Sequence, residues 1–132
     1  MCKSENMIPS DKFDKEAIKR LGVALDHEVL ENAKELLSWL QDCNWPVFPG
    51  IVERLSALGE DLFTPVSEIL AGQDSIWKEN IIGHLIPKFS ERAQRLYSDQ
   101  LNEILQNPTG SDFQEGVVDF IEIQLSNVKK HT

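Results

Sequence analysis

The sequence predicts an all-α protein, a short α-solenoid of about three antiparallel helical hairpins closed by a C-terminal capping helix. Three observations carry that prediction. Apolar residues recur at helical spacing along nearly the whole chain, and no segment sustains the alternation of a strand. Seven such segments are separated by only a few residues of Gly, Pro, Asn and Asp, and connections that short force successive helices to run antiparallel. Finally, Gln41-Asp42-x-x-Trp45 returns 32 residues later as Gln73-Asp74-x-x-Trp77, each copy following the end of one helical segment, a period that fits a two-helix repeat. A hairpin of this kind cannot cover its own apolar stripe and must stack on the next.

The elements follow in order. Asp14 is placed to cap a first helix with Ala17, Ile18, Leu21 and Leu25 inward, weakened at Gly22. Asp26 opens a second, whose Val29, Leu30, Ala33, Leu36, Leu37 and Leu40 make the strongest amphipathic face of the chain. Asp42 or Asn44 caps a third that buries Val47, Ile51, Val52, Leu55 and Leu58 and stops at Gly59, where glycine can turn left-handed. Pro46 suits a first turn, where a missing N–H costs nothing; Pro49 suits it less, so this helix either begins near Pro46 or has a distorted first turn.

A fourth helix spans Asp61 to Ala71, with Leu62, Phe63, Val66, Ile69 and Leu70 inward, Pro65 in its opening turn and Gly72 at its end. Asp74 caps a fifth (Ile76, Trp77, Ile81, Ile82, Leu85 inward) that Pro87 terminates, and Ser90 caps a sixth (Ala93, Leu96, Tyr97, Leu101, Ile104, Leu105 inward). After the turn at 107–110, Ser111 or Asp112 opens the last helix, whose apolar complement is Phe113, Val117, Val118, Phe120, Ile121, Ile123, Leu125 and Val128. The helical domain is expected over residues 11–128, between a polar tail (1–10) and a basic one (129–132).

With 132 residues, 41% of them hydrophobic, the chain can bury a core without disulfide or metal staples. Cys2 and Cys43 read as free thiols of a reducing compartment. The first ten residues lack the apolar run of a secretory signal, and no stretch approaches the roughly 20 apolar residues of a membrane span. The expected location is cytoplasmic. The net charge of −9 is concentrated in residues 21–87, which total −8, and residues 96–128, which total −6; residues 88–95 carry +2. Such a surface repels nucleic-acid phosphates and anionic lipid, so neither nucleic acid nor membrane is expected as a partner, and a basic protein is.

The junction Trp39-Leu40-Gln41-Asp42-Cys43-Asn44-Trp45-Pro46-Val47, together with Asp11-Lys12-Phe13-Asp14 and Ile76-Trp77-Lys78, resembles the small HEAT-like helical-repeat domains of domain-of-unknown-function family 5071, over about residues 8 to 105. The resemblance implies a fold only: paired helices in a short right-handed stack. It carries no activity, ligand or catalytic residue. Pro49-Gly50 departs from the helix-friendly residues such domains have there.

Trp45 and Trp77 could line one concave face as a binding platform, but tryptophans at helix starts serve more often as packing wedges. His27, His84 and His131 have no ligand-spaced neighbours, so no metal site is expected, and no cofactor fingerprint, nucleophile elbow or Cys/His constellation stands out. Cys43 has no cation nearby in the sequence to activate it. Asp112, Glu115, Asp119 and Glu122, at steps of three, four and three, would form one stripe on a continuous helix, either a solvated face or a docking surface for a basic partner. The expected function is a non-enzymatic protein-interaction domain, one form being an immunity or antitoxin role against a basic nuclease. The competing reading, an enzyme of the HEAT-like DNA glycosylase type, needs a basic concave groove and turns on whether Lys19, Arg20, Lys88, Arg92 and Arg95 converge.

Overall fold

The computed structural model describes residues 7–108 and 116–130, and among them every regular element is helical. In chain order these are α1 (Lys15–Val23), α2 (Asp26–Glu31), α3 (Ala33–Ser38), α4 (Phe48–Leu55), α5 (Phe63–Leu70), α6 (Ser75–Asn80), α7 (Glu91–Leu96), α8 (Ser98–Gln106) and α9 (Val117–Lys130). Three of them start where a side-chain oxygen precedes an apolar run. Asp14 accepts from the Ala17 N–H (3.1 Å), Asp74 from the Trp77 N–H (3.0 Å) and Ser90 from the Ala93 N–H (3.2 Å).

Expected helices are divided at two points. Asn32 separates α2 from α3, its amide reaching back to the Glu28 carbonyl (2.9 Å), and Tyr97 separates α7 from α8. The helix opened by Asp74 widens after Asn80. Pro87 has no N–H to return to Gly83, and the Ile86 N–H reaches five residues back to Ile81, giving a π turn over Ile81–Leu85 and a 3-10 turn over Ile86–Lys88.

Packing runs α1 on α4 and α4 on the 81–85 turn, α3 on α5 and α5 on α6. The last helix, α9, lies against α6, the 81–85 turn, α7 and α8. One core joins Leu21, Leu36, Leu40, Ile51, Leu55, Leu62, Leu70, Ile81, Leu85, Tyr97, Leu101, Val117 and Ile121. Gly50, in α4, is what lets that helix approach α1, since a β-carbon there would stand 2.5 Å from the Ile18 side chain. The Pro49-Gly50 pair is thus a contact requirement, with Pro49 tolerated in the first turn of a helix that begins at Phe48.

Gly59 does not act as a left-handed stop. Its φ is −51°, and the chain passes through it without a reversal of hand. Its role is space: a β-carbon would meet Phe89 at 2.7 Å and Ala93 at 2.8 Å. Its carbonyl accepts the hydroxyl of Tyr97 (2.9 Å), a fully buried side chain whose phenol burial pushes well above the usual tyrosine range.

Five residues expected inside are exposed, for local reasons. Leu25 has extended backbone between α1 and α2, Phe63 and Ile76 fall in first turns, and Leu96 ends α7. Ile123 is off the buried face of α9, which follows Val117, Ile121 and Gln124; the last of these is 1% exposed, with its amide on Gln94 (2.7 Å).

Substitution at two glycines should give opposite signs in urea denaturation. Gly59→Ala should cost about 1–3 kcal/mol by overpacking. Gly22→Ala, in exposed α1 with nothing within 4 Å of the new methyl, should gain roughly 0.5–1 kcal/mol. Equal signs would mean that the Gly59 contacts relax freely.

Asp14 gives a pH signature. The N–H groups of Ser10 (2.9 Å) and Ala17 (3.1 Å) hold its carboxyl below its ordinary 3.8. Its capping contribution is therefore complete above that value and lost as pH falls through the lowered one. Asp14→Asn, which keeps a capping oxygen, should flatten the acid limb of a melting-temperature profile; an unchanged limb would assign it to other carboxylates.

Candidate functional site

α3 is six residues long, and carbonyls at and just beyond its end take side-chain donors from α6, that of Leu37 in addition to the Leu40 N–H (3.0 Å). The Trp77 indole N–H donates to the Leu37 carbonyl (3.0 Å), and one turn on, the buried Asn80 amide donates to the Leu40 carbonyl (2.9 Å). Asp74, capping α6, sets the orientation from which Trp77 makes this contact. With its N–H so engaged, the half-buried indole lines a groove of about 300 Å³ between α3, α5 and the start of α6. Pro65 and Ile69 form the apolar walls over the buried Leu37, and Lys34, Glu68, Gln73 and Asp74 also line the groove. Lys34 and Glu68 approach to 3.6 Å, and both side chains are more than half exposed.

Trp45 does not share this groove. It is half-buried in the turn before α4, edge-on to Trp39 with ring centroids 5.4 Å apart. The two copies of the repeated motif part company four residues after the aspartate. In the second, the Lys78 N–H donates to the Asp74 carbonyl (3.0 Å) and α6 proceeds. In the first that position is Pro46, which has no N–H. Asp42 therefore closes a turn onto the Asn44 N–H (2.8 Å) instead of capping a helix, and α4 waits until Phe48.

Of the acidic set, Asp119 and Glu122 are exposed on α9, while Asp112 and Glu115 lie outside the described residues. Gly116, with φ of 80°, immediately precedes α9, so the continuous helical register that placed all four on one stripe is broken there.

A second cavity, of about 340 Å³, brings together residues that sequence reasoning left apart: exposed Cys43 with Phe48, Glu53, His84 and Lys88. His84 packs edge-on to Phe48 (5.3 Å), and Lys88 pairs with Glu53 (3.7 Å). Cys43 thus shares a cavity with residues of the 81–88 segment that its own stretch of sequence does not hint at. Among the described residues, no three His, Cys, Asp or Glu side chains cluster as metal ligands. Nor does any described helix have the length and apolarity to cross a membrane.

These features define a small all-α domain with a tryptophan-lined groove at the meeting of three helices. The chain belongs to the family described as Domain of unknown function (DUF5071), whose model matches residues 7–123, the family that its Trp39–Val47 junction resembles. No curated protein matches it.

Trp77→Phe keeps most of the ring and removes the donor to Leu37. It should cost about 0.5–1.5 kcal/mol in chemical denaturation, the range for one neutral hydrogen bond, since the Leu40 N–H still serves the Leu37 carbonyl. A negligible change would mean that water serves that carbonyl equally well.

Proposed function

We propose that this chain is a non-enzymatic interaction domain for a basic protein partner, engaged at the Trp77 groove. The groove is the observation that carries the reading. Its apolar walls and tryptophan are the surface chemistry of protein hot spots, and its volume of about 300 Å³ is at the small end for ligand sites. The net charge of −9, with Asp119 and Glu122 exposed on α9, favours a positively charged partner. The contacts of α1 with α4 and of α3 with α5 support the HEAT-like stack as the scaffold that presents it. An immunity or antitoxin protein neutralising a basic nuclease is one form such a role takes.

The competing reading, a nucleic-acid-acting enzyme, finds less support. Lys88 and Arg92 face Glu53 (3.7 Å) and Glu60 (3.5 Å), and the Arg54 guanidinium is committed to the Leu21 and Ala24 carbonyls and to Asp26.

Affinity capture from lysate at low and high salt tests the proposal. Retained proteins should be basic and should elute as salt screens the attraction. With a purified partner, Asp119→Asn/Glu122→Gln should slow association and flatten its salt dependence while dissociation changes little. A retained set no more basic than the lysate, or saturable binding of duplex DNA at physiological salt, would overturn the reading.

A further inference from the structure

We infer that the Trp77 groove recognises an arginine side chain of the partner, an inference that rests on the interaction-domain reading and specifies its chemistry. The indole N–H is already spent on Leu37 (3.0 Å), so what Trp77 offers a ligand is its ring, and a π face attracts a cation. The half-buried Pro65 and Ile69 suit a run of methylenes, the stem that long basic side chains bury while keeping the head group polar. Two carboxylates, Glu68 and Asp74, line the same groove. Asp74 accepts from the Trp77 backbone N–H through one of its two oxygens. The groove's formal charge is therefore negative even with Lys34 present.

Lys34 is a stand-in for the ligand. It answers Glu68 at 3.6 Å, yet the two side chains are 78% and 58% exposed, and an ion pair so wetted exchanges easily. An incoming guanidinium takes Glu68 over. Arginine fits better than lysine because its planar head can stack on the indole while donating in parallel to a carboxylate. About 300 Å³ admits one long side chain and excludes a helix or a large cofactor.

The probe is an N-acetylated, C-amidated Ala-Arg-Ala tripeptide, titrated against the full chain while NMR follows the Trp77 indole N–H resonance. Peptides with lysine, citrulline or glutamate at the centre serve as comparators. The arginine peptide should shift that resonance saturably, and citrulline, which keeps the shape and loses the charge, should bind at least about fivefold more weakly. Glu68→Gln should weaken binding about two- to fivefold, and so should Asp74→Asn, which retains a capping oxygen. Lys34→Gln, a surface change without consequence for folding, should tighten it by a similar factor, because the competitor for Glu68 is gone.

Equal binding of citrulline and arginine, preference for glutamate, or weaker binding by Lys34→Gln would overturn the inference. If the peptides leave the Trp77 resonance unmoved while a basic partner is still captured in a salt-sensitive way, the arginine site falls and the interaction domain stands. If arginine binds but no basic partner is retained, the guanidinium site stands and the interaction-domain reading falls.

Discussion

A helix of six to nine residues leaves four of its carbonyls without an intrahelical partner, and eight of the nine helices described here are that short. Buried and unanswered, each such group would cost on the order of 1–3 kcal/mol. The chain serves several carbonyls at or near helix ends with side chains from elsewhere, some of them alongside a local backbone N–H. Arg54 serves Leu21 in α1 and Ala24 just past it, Trp77 and Asn80 serve Leu37 in α3 and Leu40 just past it, and Gln100 adds a second donor to Ser67 in α5. Every one of these donors stands 30 to 40 residues downstream of its acceptor, close to the 32-residue spacing of the Gln-Asp-x-x-Trp motif. Hydrophobic burial draws the helices together without direction. These bonds, which tolerate little error in distance or angle, determine which helix end meets which neighbour.

The same spacing runs through the ion pairs. Arg54 with Asp26, Lys34 with Glu68, Lys88 with Glu53 and Arg92 with Glu60 all join residues 28 to 35 apart. The exposed members of this set contribute roughly 0.2–1 kcal/mol each at best. Their larger effect is on what faces outward. With 13 basic residues against 22 acidic ones, cations used between neighbouring elements leave the surplus carboxylates to set the outer field.

Features that depend on a few adjacent residues were legible in the sequence. Asp14, Asp74 and Ser90 cap helices because a cap needs only an oxygen and the next three N–H groups. The inward positions of the third expected helix, Val47, Ile51, Val52, Leu55 and Leu58, were read from period alone, and all five are buried. What the pattern concealed was set across elements. Gly59 looked like a stop and is a contact with Phe89 and Ala93; Gln124 occupies a buried position because Gln94 meets it there. The difference between Trp45 and Trp77 was in principle legible, since Pro46 stands where Lys78 must donate its N–H. Trp77 was singled out from the sequence, but its companions Lys34, Pro65 and Glu68 come from two other helices and carry no motif that links them.

Trp77 therefore combines a structural role with the proposed binding role, and the two constrain each other. Its N–H bond to α3 fixes the ring before any ligand arrives, and a side chain already held in place forfeits little conformational freedom on binding. The groove in turn exists only when α3, α5 and α6 are assembled, because each contributes part of its lining. A ligand that enters it binds the folded chain and not the unfolded one, and so must raise the stability of the same helix contacts that create the site. Binding at the proposed site would thus be coupled to folding through one indole. Removing that side chain cannot separate them, whereas a change at Lys34, exposed and tied only to Glu68 among the contacts described, alters the charge of the groove and leaves its construction intact.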